Sequence, residues 1–365
     1  MTKTLTTDAD REELDLLLRG FQVSRMLRLV ADIGVADKIP TDGHITVKDL
    51  AAACGVLPEP MLRVLRALAA FRIFQITADG SIAHTPCSRL LRTDMPNSMH
   101  HAARFWTGPG SWGAWDMLDI AMTGGTPHEA AWNMGRFAYL RQHQDEARVF
   151  DAMMANFPDN RHAAVAAAYD FSGAGLIADI GGGNGAALRH ILARFSAPRG
   201  LVFDSEDVID AITPEELMQG RIAAQGGSFF NDVPSGADIY MLIRVLHDWS
   251  DEDCVRILRT IRGAMGEHSL LLLGEQILEP DPAHGRATGY LIDVHMMAMF
   301  GRARERSEVE FRGLFDRSGF WLRRVIATES PIAIIEGLPI AAPFLSGCCR
   351  SVRATSTAVQ CQDLD

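Results

Sequence analysis

The sequence predicts an α/β fold: a parallel sheet, preceded by an N-terminal unit of helices that ends as a winged helix. Three observations carry this. The stretch Leu176 to Ala187 reads LIADIGGGNGAA, an apolar run that ends in glycines and passes at once into a helix-like segment, Ala186 to Phe195. From Phe171 onward, short apolar runs alternate with helical patterns, the signature of strand–helix–strand units. Residues 44–92 hold two helical patterns followed by two short apolar runs around Asp79-Gly80, a strong hairpin turn.

Composition narrows the class. The chain has 365 residues, 47% hydrophobic and 22% charged, enough for two or three domains around a large core. Its formal net charge of −11 disfavours nucleic acid as a partner. Six cysteines with no CxxC pair give neither a disulfide framework nor a zinc motif. The polar, acidic N-terminus is not a secretory signal, and no apolar run reaches the ~20 residues of a membrane span. A cytoplasmic location without membrane contact is the expectation.

In chain order, Glu12 to Ile39 reads as helix, with Leu14, Leu17, Leu18, Phe21, Met26, Leu29 and Val30 at helical spacing. Packing within its own domain and pairing with a second copy are both open. Val47 to Cys54 is a helix closed by Gly55, and Pro58 to Phe71 is a second, burying Met61, Leu62, Leu65 and Leu68. Ile73 to Ile76 and Ile82 to His84 form the wing. Winged helices often bind DNA, and Arg63, Arg66 and Arg72 would reach phosphates. The net charge favours dimerisation instead.

Residues 98–168 read as helical, rich in aromatic side chains and methionine; most are core, and a few would line an apolar pocket. The strands that follow are expected up to Ile180, at Leu201–Phe203, before Gly226, at Ile239–Ile243, at Leu270–Leu273, at Leu322–Ala327 and at Ile332–Glu336. The tail from Ala341 lacks periodicity and is expected to be disordered. The domains are therefore 1–97, 98–168, 169–340 and a tail, 341–365.

The glycine loop by itself leaves its ligand open. Gly181-x-Gly183-x-x-Ala186 matches a dinucleotide fingerprint, and Asp204 at the end of the second strand would hold a ribose in either a nicotinamide or an adenosyl cofactor. Asp179, two residues before the loop, makes the pattern acid-x-Gly-x-Gly-x-Gly. That pattern resembles the S-adenosyl-L-methionine loop of methyltransferases.

After the fourth strand, Val245 to Cys254 reads VLHDWSDEDC. With this motif, residues 12–340 resemble the small-molecule O-methyltransferases, the family of plant caffeic-acid-type enzymes and bacterial polyketide- and antibiotic-tailoring enzymes. The resemblance implies a Rossmann-like domain, S-adenosyl-L-methionine as cofactor, no metal, and a homodimer built on the winged helix. It implies a hydroxylated aromatic or polyketide-like small molecule as substrate and His247 as general base. A neutral imidazole suits that task, since a phenol has a pKa of about 10 and keeps its proton at neutrality. A histidine at a strand end can also merely cap the next helix. Glu275 and Glu305 match the family's two glutamates at the catalytic histidine, and Asp248 an active-site position. Met296 matches a substrate-pocket methionine; Phe150 and Met154 match pocket positions. Ser250 and the acids Asp251 to Asp253 are helix-capping chemistry.

Two departures stand out. Gly227-Ser228-Phe229-Phe230 carries Ser228 where relatives have aspartate near the adenine, and Ile243 stands where many have lysine. They bear on adenine-side affinity, with Ser228 and Phe229 kept as cofactor-binding positions. Outside the main reading stand an N-methyltransferase or diverged cofactor-binding relative of the same fold, a winged-helix DNA-binding regulator, and a nicotinamide oxidoreductase.

Overall fold

The computed structural model describes residues 7–155 and 160–340; the tail expected to be disordered lies outside the described residues. The expected helix from Glu12 to Ile39 is three pieces: Asp8–Leu18, Gly20–Asp32 and Val35–Lys38. Thr7 starts the first with a reciprocal capping box to Asp10. Arg19 breaks the first from the second, and Gly34, at φ +67°, ends the second in the left-handed region. The apolar spacing was real, but it belongs to a bent path.

Two further helices, Val47–Cys54 and Pro58–Ala70, pack with a small antiparallel sheet of order β1–β3–β2, where β1 is His44–Ile45, β2 Phe74–Ile76 and β3 Ile82–His84. Asp79 accepts hydrogen bonds from Thr77 and Ser81 and closes the hairpin. Val30, Val35, Leu50, Leu65, Leu68, Phe74 and Ile82 form one core, which makes this a winged helix. Leu14, Leu17, Leu18 and Phe21 remain exposed outside it. Short helices between His100 and Ala168 lead into the main sheet.

That sheet has seven strands: β4 (Leu176–Ile180), β5 (Arg199–Asp204), β6 (Ile222–Gly226), β7 (Ile239–Ile243), β8 (Leu270–Glu275), β9 (Phe320–Ala327) and β10 (Ala333–Pro339). Their order is β6-β5-β4-β7-β8-β10-β9. The five strands β4 to β8 run parallel, and β10 is antiparallel to both of its neighbours. Successive residues alternate between the two faces. Ala178, Ile180, Tyr240, Leu242, Leu271 and Leu273 face a core completed by Leu258, Ile261 and Phe315. Ile177, Ile239, Met241 and Leu272 face the other, completed by Leu188, Ile191 and Phe171. With both faces covered, these strands read as unbroken apolar runs.

The helix Asp251–Ala264 starts on Ser250, whose hydroxyl accepts the Asp253 N–H, and inserts Leu258 fully into the first core. Leu258→Ala is expected to cost about 2–5 kcal/mol in urea unfolding. A loss under ~1 kcal/mol would mean that this helix does not hold the sheet.

Candidate functional site

Strand β4 lies between β5 and β7, so the chain leaves its carboxyl end in one direction and returns to that end from the other side. Ligand crevices open at such a switch point. The glycine loop follows β4, and the His247 turn (Leu246–Asp248) follows β7 on the neighbouring strand end. The two touch. Gly181 sits at φ +71°, and a Cβ there would come within 2.8 Å of Val245 Cγ2. Glycine at this position is what lets the turn settle on the loop.

Asp179 is fully buried, and neither carboxylate oxygen has a hydrogen-bond partner among the described residues. Burial, and then the charge of Asp204, push its pKa up to about 7. Asp204 takes the loop as its own ligand: Oδ2 accepts the Gly183 N–H at 2.9 Å and Oδ1 accepts the Ser205 N–H at 2.7 Å. Phe229 Cε1 would lie 3.7 Å from a Cβ on Gly181, and its ring meets Trp249 edge-on. The Ser228 hydroxyl accepts the Phe230 N–H at 3.4 Å and shapes that turn. Ile243 packs over Gly274 of the neighbouring strand.

The second half of the site is a buried charge network that the sequence only half disclosed. Glu305 is buried although it stands in a charged stretch of sequence, Arg302 to Glu310. Its Oε1 lies 3.2 Å from His247 Nδ1, and Asp293 Oδ1 accepts its backbone N–H at 2.8 Å. Glu275, also buried, does not hydrogen-bond the imidazole. Its Oε1 accepts the Val245 and Leu246 N–H groups at 3.0 and 2.9 Å, which fixes the turn that carries His247.

Arg244 joins all of these, and no motif pointed to it. It sits at φ +57°, a left-handed conformation rare for a side chain of this size. Its guanidinium donates to Glu305 at 2.8 and 2.5 Å and to Glu275 at 3.3 Å, and its Nη2 lies 2.8 Å from His247 Nδ1. The available signal was a lone charge inside the apolar run IYMLIRVL. Burial alone would raise the Glu305 carboxyl, but Arg244 overrides it and holds it far below the usual carboxylate range. Burial and the Arg244 charge oppose protonation of His247; Asp248, Glu305 and Glu275 outweigh them and leave the ring above its ordinary pKa. Asp248 Oδ1 stands 3.5 Å from His247 Nε2. Arg306, fully buried, donates to the carbonyls of Leu246 and Trp249 and to Asp251, so it clamps the same turn from behind.

The helix Ala287–Phe300 carries Asp293 and, next along it, His295 and Met296, both buried. The Trp115 indole N–H donates to His295 Nδ1 at 3.2 Å, and the Trp106 ring meets His295 edge-on. Burial pushes His295 down to about 3, so it is neutral. Phe150 packs against Phe105 and Phe137 in the adjoining aromatic layer, whereas Met154 is more exposed. A cavity of about 560 Å³ borders this layer through Phe105 and is otherwise lined by Arg28, Arg104, Arg136 and Glu146 among others. Among the described residues no cluster could hold a metal ion, and no helix is long and apolar enough to cross a membrane.

Family models place these elements. Residues 115–321 match an O-methyltransferase domain and residues 16–94 an O-methyltransferase dimerisation domain. The chain is similar to the phenazine O-methyltransferase PhzM of Lysobacter antibioticus: 36% identical over 330 residues, 89% of this chain and 95% of the relative. It is also similar to the 8-amino-8-demethylriboflavin N,N-dimethyltransferase of Streptomyces davaonensis: 30% identical, over 86% of this chain and 91% of the relative. Among solved structures, the calicheamicin-biosynthesis methyltransferase CalO1 in its SAH-bound form superposes with a TM-score of 0.80. That match has 28% identity and covers 92% of this chain and 99% of the other.

Asp179 makes the stability pH-dependent. Its folded pKa, about 7, lies above its ordinary 3.8, so the native chain keeps a proton that the unfolded chain has lost. Stability is therefore expected to fall, by an amount on the order of a few kcal/mol, as pH rises between those values. Asp179→Asn should flatten that part of the curve in urea unfolding. A variant with the same slope would place the titration elsewhere.

Proposed function

The chain belongs to the O-methyltransferase family, and we propose that it moves the methyl group of S-adenosyl-L-methionine to a hydroxyl of an aromatic or polyketide-like small molecule. The coarser activity, methyl transfer of the antibiotic-tailoring type, follows from the family and its relatives. The observation that carries the finer reading is the pairing of two sites on adjacent strand ends. One is a glycine loop over an unpartnered buried carboxylate, and the other is a histidine in a network of acids.

The residues fit this cofactor. Asp179 needs a cationic partner, which the sulfonium compound's ammonium group would provide. The open loop glycines, with Asp204 beside them, would take the amino-acid end and ribose, and Phe229 and Ser228 the adenine side. The bound cofactor supplies an electrophilic methyl carbon: the O–C bond forms as the C–S bond breaks, its electron pair going to sulfur. The protein's share is positioning and control of the hydroxyl proton. His247 meets the reacting oxygen, Glu305 holds the ring, and Glu275 holds the turn. A general-base His247 requires its proton on Nδ1, donated to Glu305, and the Arg244 guanidinium contends for that same nitrogen. Met296, Phe150, Met154 and Asp248 would face the substrate.

We read residues 1–97 as the dimerising unit, 98–168 as pocket-forming helices and 169–340 as the transferase domain. The exposed Leu14, Leu17, Leu18 and Phe21 suit pairing of two copies. A second reading, N-methylation, has support from the riboflavin-type relative.

Purified protein incubated with methyl-labelled cofactor and a panel of phenols and aromatic amines should label a phenol. His247→Ala is expected to lower kcat/KM by about 100-fold or more. Labelling of amines alone, with His247→Ala nearly as active as the parent, would favour N-methylation.

A further inference from the structure

We propose that the cavity beside Phe105 is a binding site for a small aromatic carboxylate, with the acid group seated on the guanidinium of Arg136. The site uses none of the residues given to methyl transfer above, so it stands or falls apart from that reading.

The cavity, of about 560 Å³, has room for a small ligand. Its arginines come from three separate helices: Arg28 from Gly20–Asp32, Arg104 from His100–Phe105 and Arg136 from Arg136–Gln142. Arg136 stands apart from the other two. Its side chain is only 3% exposed, and Nη1 has no hydrogen-bond partner among the described residues. Gly110 makes the room for it, since a Cβ there would lie 2.2 Å from Nη1. The nearest acid oxygen recorded is Glu146 Oε2 at 3.9 Å, beyond hydrogen-bond reach. Glu146 is engaged elsewhere: it accepts the Tyr139 hydroxyl at 2.6 Å and the Gly110 N–H at 3.2 and 3.1 Å.

The remaining charges of the cavity are matched. Asp32 accepts from Nε of Arg28 at 3.1 Å and from Nε of Arg104 at 2.7 Å. Arg28 Nη1 also donates to the Arg104 carbonyl at 2.9 Å. Asp145 pairs with Arg148. Of the three arginines, Arg136 alone lacks an acid at hydrogen-bond distance, so a single negative charge completes the set. A desolvated charge without a hydrogen-bonded partner is costly, and a ligand's acid group would remove that cost. The planar fork of a guanidinium matches the two oxygens of a carboxylate.

The apolar part of the ligand follows from the wall. Phe105, Pro109 and Val149 line the cavity beside the charges. Arg136 Cζ lies 5.7 Å from the centre of the Phe105 ring, so a flat ring laid along Phe105 brings its carboxylate to the guanidinium.

Titration calorimetry of the full chain with sodium 1-naphthoate and with 1-naphthamide, its neutral counterpart, tests the site. The acid is expected to bind, and the amide to bind at least about 10-fold more weakly. Arg136→Met should abolish that preference. It should also leave the urea midpoint unchanged or raised, because it trades a buried, unbonded charge for an apolar chain of similar length. Arg104→Gln, at the edge of the cavity, should weaken naphthoate and leave the amide as it was. Equal binding of acid and amide, no binding of naphthoate at millimolar concentration, or a preference that survives Arg136→Met overturns the proposal. So does an Arg136→Met chain that unfolds more easily or fails to fold, since Arg136 would then be a structural partner of Glu146. Labelling a phenol with naphthoate present separates two sources of the acid: competition assigns it to the methyl acceptor, and an unchanged KM assigns it to a second molecule.

Discussion

Buried charges must be paired, and in this chain that requirement fixes the turn after β7. Arg244, Glu275, Glu305 and Arg306 lie out of water around one short segment, Val245 to Trp249. Each charge finds a partner of opposite sign or a row of backbone groups. Glu275 takes two amides of the turn and Arg306 takes two of its carbonyls. Such networks add little net stability, because desolvation cancels most of the attraction, but removing one partner is costly. Their return is placement: few conformations of the turn satisfy every charge at once, so the position of His247 is narrowly set.

The network also ties the two halves of the site together. The turn lies on the glycine loop through the Val245–Gly181 contact. A movement of one must be felt by the other, since packed interiors yield little. Beneath the loop, Asp179 is the counterexample to the pairing rule, a buried carboxylate with no partner. Unsatisfied buried groups of this kind mark places where a ligand completes the structure.

The helix Ala287–Phe300 carries that order outward. Asp293 holds the Glu305 backbone, and His295, next but one on the same helix, meets Trp115 and Trp106. The rings of Trp115 and Trp106 pack around a neutral, buried histidine. One helix thus connects the polar network to the aromatic layer.

The strands along the chain, the glycine loop, the wing hairpin and the helix that begins at Ser250 were all legible in the sequence; the order of the strands in the sheet was not. Each legible feature depends on residues close together in the chain: turn glycines, caps and short apolar runs. The bends at Arg19 and Gly34 were missed because apolar spacing persists through a kink. His247, Glu305 and Glu275 could be picked out by motif, but nothing local says that Glu305 reaches the imidazole while Glu275 binds amides instead. Arg244 looked like an ordinary residue beside a motif. Its importance comes from a left-handed backbone that turns it inward and from acids 31 and 61 positions further on. The sequence by itself determined which elements form and which face each buries, because propensity and periodicity are local. Only the tertiary structure decided which charges meet, because that is settled by distances between residues remote in the chain.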